Sequence, residues 1–460
     1  MYRSNKLLES FILDICVRYL LLSEIGDTPL FSENENLLEV LCQDPNIFED
    51  NESSAYDTQA TWEALEDGLA KYDPTERGFG ELFVYASSYW LKHYGHSEDA
   101  SRPSIAGVES LCQANSLRLH NWLNQYSRPE CTIKARFEFD SNICDPLRIT
   151  ALYGSHAMLR RMLEEADFSS GKYLPSSVMV AADQVLYCGD LSRLRLLLHE
   201  GKLASDYKVF LQLVIWKWAE VRARCTGWEL AFELVDDVLD RLVAEQWGRE
   251  LFCVAARFGC LPMMRILVDR AKHNTILETE LLQGFQSVGE AVLGNHIHVL
   301  EYLLRDSRFD KHFDYLNAQG ESVLHIAAGP CNPAMFRLLV LRLQKYIYQP
   351  DGRGDTPLTR VIKSDAPSEV ECECAGILLS HAHTKDGNDF GDGGNSPLRV
   401  AVQLGDIAMV RLLMADGRFD PSSALVKGAD AELLLKDKAC LCGEAIQEIL
   451  REHATASSLS

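Results

Sequence analysis

The sequence predicts an all-α protein: a solenoid of short helix pairs preceded by an irregular N-terminal helical domain. Three observations carry that expectation. The first is the stretch Gly394–Leu413, which reads as turn, helix start, short helix, stop and second helix. Ser396 is placed to cap a helix whose first position is Pro397, where a missing N–H costs nothing, and Leu398, Ala401 and Val402 share a face. Gly405 falls where a helix ends in the left-handed conformation that glycine accepts cheaply, and Ile407, Val410, Leu412 and Leu413 form the apolar side of the next helix. The second observation is that this pattern recurs upstream. The third is that no such helix is long enough to be stable alone in water, so each unit needs neighbours.

Aligned on Leu398, the same opening occurs at Ser322-Val323-Leu324-His325 and at Asp355-Thr356-Pro357-Leu358. The stop positions are Gly405, Asp365 and Cys331, continued upstream by Asn295, Gly259, Gly189 and Gly154, with steps of 35, 70, 36, 36, 34 and 40 residues. The step of 70 is two periods with a degraded copy at 203–247, and the step of 40 holds an insertion near Ala366–Cys372. A period of about 33–36 residues with Thr-Pro-Leu-His-like openings resembles the ankyrin repeat, a β-turn followed by two antiparallel helices. The resemblance is densest from 316 to 420 and sparser from 143 to 315. It implies seven to nine units, each packing only on its neighbours. It also implies that the turns at 316–320, 350–354 and 386–394 project as fingers along one edge.

Residues 1–130 show no such period and are expected to form a separate helical domain, with repeats over 131–453 and a loose tail at 454–460. From Lys6 to Glu24, the apolar residues Leu7, Leu8, Phe11, Ile12, Ile15, Tyr19 and Leu22 recur at helical spacing. An acidic stretch at 32–58 follows, read as loop with a short helical piece at 36–42, and then a helix at 61–70. Residues 80–94 place Phe83, Ala86, Tyr89 and Trp90 on one side of a helix. Arg102-Pro103-Ser104 is punctuation within a linker at 97–107, and helix returns at 108–125. The phrases Cys16–Leu21 and Tyr85–Leu91 are similar to the helical connector that precedes the ankyrin array in fungal NACHT–ankyrin proteins. No Gly-x-x-x-x-Gly-Lys-Ser/Thr loop is present, so the phosphate cradle of that family is missing. On that resemblance the chain is the sensor half without its nucleoside-triphosphatase motor. At the other end, 432–442 and 444–453 form an atypical helix pair suited to capping the stack.

The chain has 460 residues, 47% hydrophobic and 24% charged, with a formal charge of −22. With no basic run to displace counterions, that balance argues against a nucleic-acid partner. The 14 cysteines are scattered and many, such as Cys16 and Cys253, occupy apolar helix positions. They read as small buried thiols in a reducing compartment. Residues 11–25 are too short and too charged to span a bilayer, and no secretory pattern precedes them. The expectation is a soluble cytoplasmic protein, or a nuclear one, with no membrane association and no cofactor.

The candidate chemistry is thin. Asp386-Gly387-Asn388-Asp389-Phe390-Gly391-Asp392 resembles the opening of a calcium loop, but Phe390 and Pro397 stand where ligands belong, so a finger turn fits better. Cys372, Cys374, His381 and His383 are zinc-type ligands, yet residues two apart on a helix point in opposite directions and the usual spacings are missing. The same reasoning applies to His296 with His298 and to Cys440 with Cys442. In the ankyrin pattern, His325 is implied to bond neighbouring turn backbone. Arg353-Gly354-Asp355 is an adhesion-like tripeptide without a context for that role. Trp216, Trp218 and Trp228 cluster in the degraded copy, as core or as a partner-binding patch. No nucleophile elbow and no assignable Cys/His pair is found, so a non-enzymatic, monomeric recognition protein is expected. Another protein would dock on the concave side, with Asp351, Arg353, Asp355, Asp386, Asp389 and Asp392 of the finger turns as candidate contacts.

Overall fold

The computed structural model describes residues 2–31, 71–97, 103–137, 140–188, 191–200, 207–224, 226–239, 244–270, 286–314, 316–383, 396–420 and 445–452. The acidic stretch at 32–58, the helix expected at 61–70, the turn at 386–394, the helix expected at 432–442 and the tail at 454–460 lie outside these residues. The described residues are helical apart from turns and one isolated antiparallel bridge, Lys71 with Thr132. Two compact units are present, residues 1–217 with 221–234, and residues 218–220 with 235–460.

The first unit begins with α1 (Tyr2–Leu20) and a short α2 (Glu24–Asp27). α3 (Phe83–His96), α4 (Ile105–Leu111) and α5 (Leu117–Tyr126) follow. The apolar stripe read from the sequence of α1 is not its core face. Leu13, Cys16, Val17 and Leu20 are buried, whereas Leu8, Phe11, Ile15 and Leu22 are exposed. α1 is apolar on two sides, and the pattern alone does not say which one meets α3. On α3, Phe83, Ala86 and Trp90 are buried as expected, but Tyr89 is exposed. Trp90 and Trp122 meet edge to face at 5.0 Å in the centre of this region, and Trp122 Nε1 donates to the Leu111 carbonyl at 3.1 Å. The single helix expected over 108–125 is two helices. Ser104 and Ser116 cap them by accepting from Gly107 N and Leu119 N, and Asn115 turns the chain between them at φ 59°. Asn121 pins the segment after α2, accepting from Leu30 N and donating to the Ile25 and Thr28 carbonyls, each at 2.8 Å.

The first repeats of this unit are α6 (Pro146–Tyr153) with α7 (His156–Glu165), and α8 (Ser177–Cys188) with α9 (Leu194–Glu200). α10 (Tyr207–Val221) and α11 (Trp228–Leu239) follow in the degraded copy. Asp145-Pro146-Leu147 opens α6 as Thr356-Pro357-Leu358 opens its counterpart downstream. Buried Asp145 accepts from Arg148 N at 2.7 Å, from Leu174 N at 3.2 Å and from Ser177 Oγ, so one carboxylate caps its own helix and ties down the start of the next repeat. Tyr94 Oη and Thr150 Oγ1 lie 2.9 Å apart, which packs the N-terminal helices directly on the first repeat. Gly154 ends α6 as expected but not in the left-handed region: its φ is −70°. Glycine is required there by closeness, because a Cβ would stand 2.8 Å from the Thr150 carbonyl and 3.0 Å from the Tyr94 ring.

Among its described residues the second unit contains five helix pairs. They are α12 (Ala244–Arg257) with α13 (Leu261–Arg270), α14 (Gln286–Leu293) with α15 (Ile297–Arg305), α16 (Val323–Ala327) with α17 (Pro333–Val340), α18 (Pro357–Ile362) with α19 (Ser368–Ser380), and α20 (Pro397–Leu404) with α21 (Ile407–Asp416). First helices pack on first helices along α12, α14, α16, α18 and α20, and second helices pack on second along α15, α17, α19 and α21. This two-layer stacking is the all-α ankyrin arrangement that the period predicts. Gly259, Asn295, Cys331 and Gly405 occupy one corner position between paired helices, with φ of 72°, 58°, 45° and 75°. Asp365, aligned with them, is not left-handed; the chain instead runs on through Pro367 into the long α19, which absorbs the insertion. Ser396 stands at the cap position of α20 but makes no side-chain capping bond, while Asp406 caps α21 by accepting from Met409 N at 3.1 Å.

Candidate functional site

Two finger turns in the second unit are built by the same device, 34 residues apart. In the first, Asn317 Oδ1 accepts from Gln319 N at 3.0 Å and Glu321 N at 2.8 Å. In the second, Asp351 Oδ1 accepts from Arg353 N at 2.8 Å and Asp355 N at 2.9 Å. Each turn closes with a glycine at positive φ, Gly320 at 74° and Gly354 at 82°. A short polar side chain bonding its own backbone two residues on is the reason Asn and Asp start such turns. The turns are joined by Gly352 N donating to the Gln319 carbonyl at 2.7 Å. A Cβ on Gly352 would lie 2.8 Å from that same oxygen, so only glycine permits the contact.

Arg360, from the last turn of α18, braces the two fingers. Its Nε donates to Asp351 Oδ2 at 3.0 Å, and its terminal nitrogen also bonds Glu321 Oε1 of the neighbouring repeat. Lys363 Nζ lies 2.5 Å from Asp355 Oδ1. Burial works to raise the Asp351 pKa, but the amides of Asp355 and Arg353 and the Arg360 guanidinium outweigh it and hold the carboxyl below the usual range. Behind the turns sits buried His325. Its Nδ1 accepts from Ser322 N at 3.1 Å and lies 2.8 Å from Ser322 Oγ, which leaves Nε2–H to donate to the Asp355 carbonyl at 3.0 Å. Burial lowers its pKa, opposed by the bond to Asp355, so the neutral ring is the form that fits. This is the backbone-bonding role the repeat pattern implied.

Between the fingers lies a groove of about 410 Å³, lined by Ala318, Gln319, Gly320, Glu321, Asp351, Gly352, Arg353 and Arg360. Its two carboxylates and two guanidiniums balance in charge. Of the candidate contacts read from the sequence, Arg353 is exposed at the finger tip, while Asp351 and Asp355 are buried and bonded within the turn and to α18. Asp386, Asp389 and Asp392 lie outside the described residues. The residues that complete the groove, Gln319, Glu321, Gly352 and Arg360, were not singled out from the sequence. The signal for them was available in the 34-residue spacing of Asn317-Ala318-Gln319-Gly320 and Asp351-Gly352-Arg353-Gly354. The groove offers backbone groups, an amide and a guanidinium, and both its carboxylates are already bonded. It can recognise a shape, but it holds no nucleophile paired with a base.

The zinc-type residues do not converge. Cys374 is buried against α17, whereas His381 Nδ1 donates to the Ile377 carbonyl at 2.9 Å and His383 is exposed. No group of three or more potential metal ligands occurs among the described residues. His296 and His298 each bond a backbone carbonyl of the preceding repeat, those of Arg257 and Gly259, both at 2.9 Å. Trp228 is buried and Trp216 is exposed. Among the described residues, no helix is long and apolar enough to cross a membrane.

No protein-family model matches the sequence, and no curated protein matches it. Among solved structures, the chain is similar to the ankyrin repeat domain of Bcl-3, described as a unique member of the IkappaB protein family. The identity is 19%, the match covers 44% of this chain and 85% of that one, and the TM-score is 0.35.

Proposed function

We propose that this chain is a non-catalytic recognition scaffold that binds another protein across its finger turns and the first helices of its repeats. The observation that carries this reading is the pair of fingers at 317–321 and 351–355. Their carboxylates are spent on internal bonds, so the turns are held in one conformation, while Ala318, Gln319, Gly352 and Arg353 are exposed. A surface ordered before binding loses little conformational entropy when a partner docks. Arg353 contacts the partner, and Asp351 and Asp355 act through the turn they hold. The net charge of −22 favours a partner of basic character. Residues 1–130 form the helical region that precedes and packs on the repeats of 131–453, and the protein works in the cytoplasm.

The test is affinity capture from the native cell with the full chain and with a Gln319→Glu, Arg353→Ala double variant, each at low and high salt. A protein retained by the natural chain, lost with the variant and released by salt supports docking at the fingers. Retention unaffected by the double variant refutes it, and retention insensitive to salt removes the electrostatic part. Co-purification of a separate nucleoside-triphosphatase chain would identify the scaffold as the sensor half of a NACHT-type system.

A further inference from the structure

We propose that two copies of this chain associate through the outer face of α1, packed antiparallel about a two-fold axis at Ile15, in place of the monomer the sequence suggests.

α1 is apolar on two opposite sides. One packs within the chain, where Leu13, Cys16, Val17 and Leu20 are buried. On the other, Leu8 and Phe11 are 54% and 55% exposed, and Ile15 and Leu22 are 42% and 47% exposed. Leu8, Ile15 and Leu22 follow one another at steps of seven residues, with Phe11 three after Leu8 and four before Ile15. That is the spacing of a seam by which one helix meets another. Leu22 N donates to the Tyr19 carbonyl at 3.1 Å, so the closing turn carries the stripe past the end of the helix. α3 widens the patch with exposed Tyr85 and Tyr89, whose rings lie 5.1 Å apart. Tyr85 is fixed beside α1, because its Oη lies 3.1 Å from His93 Nε2 and His93 Nδ1 lies 2.5 Å from Glu9 Oε2.

Area, symmetry and charge together select a second copy as the occupant. These six half-exposed side chains leave on the order of 500 Å² uncovered, the size of apolar patch that marks an interaction site. Two such patches together bury on the order of 1,000 Å², the threshold for a specific interface. The stripe reads alike in both directions from Ile15. An antiparallel copy sets Leu8 against Leu22 of the second copy and Ile15 against its own counterpart, which is the self-complementarity that a two-fold interface demands. Asp14 and Arg18 flank the stripe on one side, paired at 2.9 Å, and the Arg18 side chain is 78% exposed. In an antiparallel pair like flanks meet, so Arg18 of each copy comes beside Asp14 of the other, and the contact is made twice.

Sedimentation equilibrium of the full chain across about 1–100 μM reads the association, since interfaces of this size are weak ones. The expected result is a monomer–dimer equilibrium. Ile15→Glu sets two carboxylates together on the axis and should weaken dimerisation on the order of tenfold or more, with the far-UV circular dichroism of the natural chain retained. Cross-linking, with the peptides mapped by mass spectrometry, reads the geometry independently of that variant. Under mild oxidation Ile15→Cys should join its own counterpart, while Leu8→Cys, about 10 Å from the axis along the helix, should not. A mixture of Leu8→Cys and Leu22→Cys chains should join one to the other. A monomer throughout the concentration range overturns the proposal. So does a dimer undiminished by Ile15→Glu, or self-linking of Leu8→Cys in preference to Ile15→Cys.

Discussion

Replacing His325 with alanine tests the bond network that joins the two finger-bearing repeats. The imidazole makes three buried hydrogen bonds, to Ser322 N, Ser322 Oγ and the Asp355 carbonyl. The Asp355 carbonyl keeps a second donor in Asp351 N at 2.8 Å, so its loss is partial, but Ser322 N is left without its acceptor. At a net worth of about 1 kcal/mol per bond, with one orphaned donor, His325→Ala should cost about 2–4 kcal/mol. The pH dependence is the sharper signature. Burial lowers the His325 pKa in the folded protein below the ordinary value of about 6.5. Between the two pKa values the unfolded chain carries the extra proton, so stability is full above about pH 6.5 and falls as pH drops through that window. The slope contributed by this one group reaches at most about 1.4 kcal/mol per pH unit. His312, also buried with a lowered pKa, adds a similar slope in both proteins, so the difference between them isolates His325. Urea unfolding followed by far-UV circular dichroism, from about pH 7 to pH 5, measures both quantities. Parallel stability curves for the natural chain and the variant would refute the assignment of a neutral, buried imidazole. A cost under about 0.5 kcal/mol would refute its role as a tie between repeats.

Three further outcomes are expected. Gly352→Ala drives a Cβ into the Gln319 carbonyl and breaks the bond between fingers, so amide exchange at 317–321 and 351–355 should accelerate on the order of tenfold or more. Gly405→Ala should destabilise by roughly 1 kcal/mol through backbone strain alone, since nothing lies within 4 Å of the added atom, and Gly405→Asn should recover most of it; chemical denaturation reads both. Asp145→Ala removes a helix cap together with the ties to Leu174 and Ser177, and should cost about 2–4 kcal/mol, with exchange fastest at the start of α8.

The repeat, its period and most of its corners were legible in the sequence because each is a local demand. Pro357 and Pro397 fit only a helix start, and Gly405 answers a backbone angle that few other residues accept. The repeat resemblance, rather than spacing, implied that His325 beside Leu324 bonds turn backbone, as it does to Asp355. Other features depend on what lies across from a residue, which spacing does not encode. Gly154 reads like Gly405 but is required by the nearness of Thr150 and Tyr94, not by its own φ. α1 carries apolar residues on two sides, and only its contact with α3 makes Leu13, Cys16, Val17 and Leu20 the core face. Asp351 and Asp355 look like exposed finger acids, yet Arg360 and Lys363 draw them inward. By itself, then, the chain determined a period of helix pairs, because capping, turning and helix-stopping act within a few residues. Only the tertiary structure decided which faces are buried and which charges are spent, because those free energies arise between residues one repeat or more apart.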